Sequence, residues 1–327
     1  MRAVVCKALG DPGALAVEDI APPPLTEGGV RIRVRAAALN FADTLMIRGT
    51  YQVKPALPFV PGIEAAGEVV EVAPGVTRVA VGERVMAVLT AGAFAEEAVT
   101  EEDRVHRIPA GMDFAAAAGF PVAYGTAYFA LADRARLRPG EALVVHGAGG
   151  GVGLAAVEIG HRLGATVVAV AGGADKLALA RAHGADHAID HRTEDLRARI
   201  KDLTSGRGAD VVFDPVGGSA FEASLRSTAP DGRIVVVGFA SGQVPQIPAN
   251  LLLVKNLTAI GLYWGAYRDI RPEAFAAQFD TLFRWWEEGA LKPHASHVFP
   301  LEKARDAFAA LTERRSSGKV ALVMGEP

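Results

Sequence analysis

Apolar and polar positions along the chain follow two rhythms. The first third carries short β-type runs cut by turn signals. It predicts strands at Arg2–Ala8, Leu15–Asp19, Val30–Leu39, Ala65–Val72, Glu83–Leu89, Phe94–Thr100 and Val105–Ile108, punctuated by Gly28-Gly29, Pro74-Gly75 and Gly82. From Phe114 onward alanine dominates and the pattern turns helical. The middle then interleaves strands with helices. Strands are predicted at Ala142–His146, Thr166–Ala171, Asp186–Ile189, Asp210–Phe213, Arg233–Val237 and Leu257–Gly261. Helices are predicted at Gly151–Leu163, Ala174–His183, Glu194–Leu203 and Ser219–Ser227. Six strands with intervening helices imply an α/β fold with a doubly wound parallel sheet, whose ligand sits beyond the carboxyl ends of the strands.

The tail carries two amphipathic helices. Phe275, Phe279, Leu282 and Trp286 share one helical face, and Gly289 ends that helix. Leu301, Ala304, Phe308 and Leu311 form the second stripe, and a last strand, Lys319–Val323, is expected to return to the first domain. These aromatics read more simply as core than as a binding surface. The expected organisation is a mostly β domain built from 1–122 and 264–327, with a dinucleotide-binding domain at 123–263.

Composition narrows the function classes. The chain has 327 residues, 50% of them hydrophobic, enough for two domains with their own cores. A net charge of −3 gives no reason to expect nucleic acid or an anionic membrane as partner. A single cysteine, Cys6, excludes an internal disulfide and suits a reducing compartment. No run approaches the ~20 apolar residues of a membrane span, and Met1–Val5 opens a strand instead of a signal peptide. A cytoplasmic protein is the expectation.

The candidate chemistry begins at residue 143. Leu143-Val-Val-His146 is a β-branched run that stops at Gly147-Ala148-Gly149-Gly150-Gly151-Val152-Gly153, where a helix begins. That strand, turn and helix context is what a dinucleotide-binding loop needs. Gly150 and Gly153 stand where backbone must approach a pyrophosphate and where helix must pack on strand. The helix N-terminus offers unpaired N–H groups and a positive dipole end. Ala148 replaces the first glycine of the pattern.

The second strand indicates which nucleotide. In an NAD-selective site it ends in an acid that accepts from the ribose 2′-hydroxyl. Here it ends in Ala171-Gly172-Gly173, which leaves room for a 2′-phosphate. Lys176, His191 and Arg192 are candidate partners for that phosphate. The alternative for each is an ordinary surface charge. NADPH is therefore expected over NADH.

With these features in view, the chain resembles the medium-chain dehydrogenases/reductases over essentially its whole length. The carrying segments are Ala38–Gly49, Pro58–Val70, Val81–Val85, Ala123–Tyr128 and the glycine turn. Asn40-Phe-Ala-Asp43 and Pro61-Gly-Ile-Glu64 are most similar to the zinc-independent quinone oxidoreductases, the branch that includes zeta-crystallin. The resemblance implies a GroES-like first domain, a Rossmann second domain and a homodimer joined through the Leu257–Gly261 edge strand. It also implies contacts of Asn40 and Thr126 with the nicotinamide ribose or carboxamide. Val216, Phe239, Ala240 and Tyr263 follow strand ends where the nucleotide would lie, with simple packing as the alternative for Phe239 and Tyr263.

In zinc-dependent relatives, ligands stand at positions that match Asn40, Ile63 and Ala118, and isoleucine and alanine cannot coordinate a cation. No metal site is expected there, nor at His183, His187 and His191 or at His294 and His297. Without a Lewis acid, alcohol oxidation is disfavoured. Reduction of an electrophilic acceptor stays feasible. The leading expectation is an NADPH-dependent quinone reductase, with Tyr51 as candidate proton donor or as a surface that shapes the pocket. Glu64 is expected to brace the loop. The runner-up is a reductase of α,β-unsaturated carbonyls or enoyl thioesters, for which Arg268 and Arg271 would line a channel for phosphates. A non-catalytic NADPH-binding protein is the third reading.

Overall fold

The computed structural model describes residues 1–325, which form two units. The first comprises Met1–Val122 and the chain from Pro293 onward; the second is Ala123–Lys292. The first unit opens with β1 (Arg2–Val5) and β2 (Ala16–Asp19), an antiparallel pair of their own. There follow β3 (Gly29–Ala38), α1 (Phe41–Ile47), β4 (Glu64–Val72), β5 (Arg84–Val88), β6 (Glu97–Glu101), β7 (Val105–Arg107) and α2 (Phe114–Ala118). Helix α3 (Phe120–Tyr128) runs across the division into the second unit, followed by a π-helical turn at Phe129–Arg134.

The second unit alternates β8 (Ala142–His146), α4 (Gly151–Arg162), β9 (Thr166–Ala171), α5 (Ala174–Ala182), β10 (His187–Asp190), α6 (Leu196–Leu203), β11 (Ala209–Asp214), α7 (Gly218–Ser227) and β12 (Thr228–Val236). It ends with α8 (Ala249–Lys255), β13 (Thr258–Gly261), α9 (Tyr267–Ile270) and α10 (Pro272–Glu287). The six strands pair in parallel in the order β10-β9-β8-β11-β12-β13. The order reverses between β8 and β11, and that reversal opens the crevice where such sheets take ligands. All five residues of β8 are buried, as expected of a strand covered by helices on both faces. The doubly wound sheet expected from the alternation is therefore present.

The chain then returns to the first unit through β14 (Ala295–Pro300), α11 (Ala304–Thr312) and β15 (Lys319–Val323). Its sheet runs β14-β15-β3-β4-β5-β7, with β6 also paired to β3. Val30, Ile32, Val34, Met46, Phe94, Phe308, Val320 and Leu322 are among the residues of its core. No helix among the described residues is long and apolar enough to cross a membrane.

Several expectations need correction. Residues 264–292 belong to the second unit, not the first. The reason lies in the aromatic face of α10: Trp264 lies on Phe275, Phe279 meets both edge-on, and the Trp264 indole N–H donates to Gln278 Oε1 at 3.2 Å. Gly125 lets this happen, because a Cβ there would collide with the indole. On α10 the buried tryptophan is Trp285, with Trp286 half-buried. Helix α1 escapes a periodicity reading because seven residues give too little of a stripe. Strand β14 escapes because none of its residues is fully buried.

Candidate active site

The turn after β8 is built by sterics. The chain reverses through Gly147 at φ +60°, and Gly150 caps α4. A Cβ on Gly153 would run into the Gly147 carbonyl oxygen and lie 2.9 Å from the Ala148 Cα, so only glycine lets α4 start this close to β8. Ala148 is pinned from behind, its N–H donating to Val170 O at 3.0 Å. Gly150 differs. It is exposed, its backbone is extended (φ −94°, ψ 173°), and the nearest atom to a Cβ would be Gly147 O at 3.4 Å. The protein itself has no packing need for glycine at 150. Gly149 is buried under the Lys176 side chain, whose Cβ would lie 2.8 Å from a Cβ at 149. Gly151 and Val152 are half-buried in the first turn of α4.

Beneath the turn, burial holds the His146 imidazole below its ordinary range and therefore neutral. Its Nε2 lies 2.7 Å from Ser224 Oγ, and that hydroxyl donates to Ala220 O at 2.9 Å. The hydroxyl must then accept, so Nε2 carries the proton.

The turn after β9 gathers charge. Ala171 is buried, and Gly172 and Gly173 after it are half-buried. Sequence reasoning left this space empty. The structure fills it: the Arg192 guanidinium folds over both glycines and donates to Gly172 O, and a Cβ at Gly172 would collide with it. Exposed His191 donates its backbone N–H to Ala171 O at 3.3 Å. Asp190 was not anticipated. Its carboxylate accepts from the N–H groups of Arg192 and Gly173, each at 3.0 Å. The Arg192 N–H chiefly, with that of Gly173, holds this carboxyl below the usual range. Asp190 thus ties β10 to the β9 turn and aims Arg192 across it.

Val216, Phe239 and Ala240 meet at the ends of β8, β11 and β12. Buried Asp214 accepts from Val216 N at 2.7 Å and Gly217 N at 3.0 Å. Val216 lies against Gly147, where a Cβ would stand 3.3 Å from its Cγ2. Ala240 N donates to Pro215 O and Ser241 N to Val216 O, both at 3.0 Å, so the segment with Phe239 and Ala240 closes over the same turn. Phe239 is 37% and Tyr263 44% exposed. Thr126 is buried in α3.

In the first unit a polar cluster lies inside the fold. Asn40 caps α1, and its backbone N–H donates to Asp43 Oδ2 at 2.7 Å. Its side-chain Nδ2 donates to Glu64 Oε1 at 2.8 Å. Lys319 Nζ donates to Asn40 Oδ1 at 2.8 Å and to Leu39 O at 2.9 Å, and forms an ion pair with Glu64 Oε1 at 2.7 Å. Glu64 Oε2 accepts from Val122 N at 2.9 Å, which is the bracing expected of it. Burial drives the Asp43 carboxyl up to about 7, against the lowering by the Asn40 N–H and Lys319. Sequence reasoning missed Lys319 and Asp43, since nothing local ties β15 to β4. Tyr51 is half-buried against the same core.

This cluster does not suit zinc. Ile63 and Ala118 carry no ligand atom. The Asn40 amide and the Glu64 carboxylate are both bonded to an ammonium group, which would repel a second cation. Among the described residues, no three His, Cys, Asp or Glu side chains are grouped to hold a metal ion.

Known proteins agree with this picture. The alcohol dehydrogenase GroES-like domain family matches residues 26–110, and the zinc-binding dehydrogenase family matches residues 151–280. Quinone oxidoreductase-like protein 2 of Rattus norvegicus is 41% identical over 322 residues, covering 98% of this chain and 91% of that one. The Escherichia coli quinone oxidoreductase complexed with NADPH superposes with a TM-score of 0.93 at 30% identity, over 99% of this chain and 100% of that one. A structure described as an NAD-dependent alcohol dehydrogenase gives 0.91 at 34% identity, over 99% and 100%. With its two matched domains and a metal position that offers no ligands, the chain belongs to the zinc-independent quinone oxidoreductase branch of the medium-chain dehydrogenase/reductase superfamily.

Proposed function

We propose that this protein is an NADPH-dependent reductase whose acceptor is a quinone. The observation that carries the reading is the exposed Gly150 turn with Lys176 and Arg192 held beside it. The turn fits a pyrophosphate: one glycine admits the helix, another leaves the approach open, and the α4 N-terminus supplies N–H groups. Lys176, Arg192 and His191 supply cationic and hydrogen-bonding groups for a 2′-phosphate. Asp190 is an acid near that turn, but its oxygens are engaged by backbone N–H groups, and it serves to hold Arg192 in place. The relative solved with NADPH supports the same nucleotide.

When bound, the nucleotide supplies hydride to an electrophilic acceptor. The chain's part is to bind, orient and exclude water. Ala171, Gly172 and Val216 flank the adenosine end in this reading, and Thr126, Phe239, Ala240 and Tyr263 the nicotinamide end; Asn40 of the first unit is kept as a catalytic candidate. Tyr51 is the candidate that hands a proton to the reduced oxygen. The enoyl-thioester alternative loses its proposed channel. The Arg271 guanidinium is paired with Asp133 and lies over Phe129 and Tyr267, and Arg268 is paired with Asp269.

The protein is also proposed to be a homodimer. Strand β13 is an open edge of the six-stranded sheet, and neighbouring α8 exposes Leu253 at 76% and Val254 at 67%. A second copy would cover both. Turnover with a benzoquinone and with crotonyl-CoA tests the acceptor. Oxidation of NADPH by the quinone at the faster rate is expected, and a preference for crotonyl-CoA would refute it.

A further inference from the structure

We propose that Lys319 is a positioning residue: it sets the orientation of the Asn40 carboxamide. The proposal rests on the reading above that Asn40 serves the reaction. An ammonium group has three N–H donors. Here Leu39 O and Asn40 Oδ1 take two, at 2.9 and 2.8 Å, and Glu64 Oε1 pairs with the ammonium charge at 2.7 Å. The side chain is 11% exposed and Glu64 is fully buried. Held by two fixed acceptors and a buried carboxylate, Lys319 is placed to hold its neighbour Asn40.

What it holds is asymmetric. The Asn40 oxygen faces the ammonium, and its nitrogen faces the Glu64 carboxylate at 2.8 Å. Turning the amide over would set NH₂ against the ammonium and oxygen against the carboxylate, two repulsions in place of two bonds. Lys319 and Glu64 together therefore allow one orientation. Glu64 is itself fixed by the Val122 N–H, and the Lys319 backbone by donation to His294 O at 2.8 Å. The lysine stem passes close to Gly119, where a Cβ would stand 3.0 Å from its Cγ. What remains for a ligand is one lone pair on Oδ1 and one N–H, whose partner among the described residues is Ala38 O at a long 3.4 Å. A hydroxyl and a carbonyl on the ligand can each be met by these, and Lys319 decides which meets which.

The chain has three asparagines, Asn40, Asn250 and Asn256, and the last two are exposed. Labelling with [¹⁵N]asparagine thus gives three side-chain amide pairs, with N40A identifying the first. In the nucleotide-free protein, the Asn40 pair is expected to exchange with solvent about tenfold or more slowly than the other two. K319M is expected to abolish that protection. An unchanged Asn40 signal in K319M overturns the proposal whether or not the protein reduces quinones.

Single-turnover hydride transfer at saturating NADPH tests the consequence. K319M is expected to be about tenfold slower or worse, and N40A/K319M no slower than N40A alone, since the lysine acts through the asparagine. Because K319M leaves Glu64 as an unpaired buried carboxylate, E64Q/K319M provides the control. It is expected to regain thermal stability and to stay slow. Multiplying rate losses in N40A/K319M, or recovery of the rate together with stability in E64Q/K319M, would overturn the proposal. A wild-type protein that holds Asn40 rigid yet neither binds nor oxidises NADPH would instead refute the functional reading.

Discussion

Gly150 and Gly153 stand three residues apart in one turn, yet they should fail in opposite ways when alanine replaces them. At Gly153 the new methyl meets backbone: the Gly147 carbonyl oxygen within contact distance, its carbon at 2.6 Å and the Ala148 Cα at 2.9 Å. Backbone cannot rotate aside, so the upper end of the overpacking range applies, about 3 kcal/mol. Better helix propensity returns about 1 kcal/mol. The net loss is about 2 kcal/mol, which for a unit of this size lowers the melting temperature by about 4–8 °C. At Gly150 the nearest atom stands at 3.4 Å and the extended backbone suits alanine. Loss of a favourable helix cap costs about 1 kcal/mol, and reduced freedom of the unfolded chain offsets it by about 0.4–1 kcal/mol. G150A should therefore melt within about 3 °C of wild type. Its methyl points where a pyrophosphate must come, and losing one charge-assisted hydrogen bond there costs about 1.5–3 kcal/mol. That weakens NADPH binding about 10- to 100-fold. Scanning fluorimetry and titration calorimetry on both variants make the comparison. Wild-type NADPH affinity in G150A would refute the assignment of the turn, and a wild-type melting temperature in G153A would refute the packing argument.

Other consequences can be checked directly. R192A should raise the Kd for NADPH about tenfold and leave that for NADH within about twofold, because only the former carries a phosphate for the guanidinium to meet; equal losses for both, by fluorescence titration, would count against it. Y51F should lower kcat by about 10²-fold if the phenol is a required general acid, and a fall below about threefold would assign it to pocket shape alone. The Asp43 carboxyl, raised by burial to about 7 from 3.8, keeps its proton in the folded state where the unfolded chain has lost it. Between about pH 4 and about pH 7 stability should therefore fall as pH rises and level off above that window. Denaturant midpoints should show this slope in wild type and a flatter one in D43N.

The second unit was legible because local pattern and global arrangement agree there. Buried parallel strands such as β8 and β9 are continuous apolar runs, and α4 between them buries a continuous stretch from Gly153 to Gly160. The glycine turn was legible for a different reason: the collision a side chain at 153 would suffer leaves glycine as the residue to read. Segment 264–292 was assigned to the wrong unit because an amphipathic face reveals that it is buried, but not against what. Asp190 and Lys319 were missed for a related reason. Asp190 looks like a polar strand end until its oxygens are seen on the N–H groups of Gly173 and Arg192. Lys319 becomes meaningful only when antiparallel pairing sets β15 beside β3, whose end leads into Asn40. Such contacts between distant parts of the chain carry no sequence signature of their own.

The central claim is that a pyridine nucleotide bearing a 2′-phosphate docks on the Gly150 turn beside Lys176 and Arg192. Titration of the purified protein with NADPH and with NADH, side by side in one buffer, addresses it most directly. The account predicts about one NADPH per chain, bound at least tenfold more tightly than NADH. Tighter uptake of NADH, or no uptake of either, would contradict it.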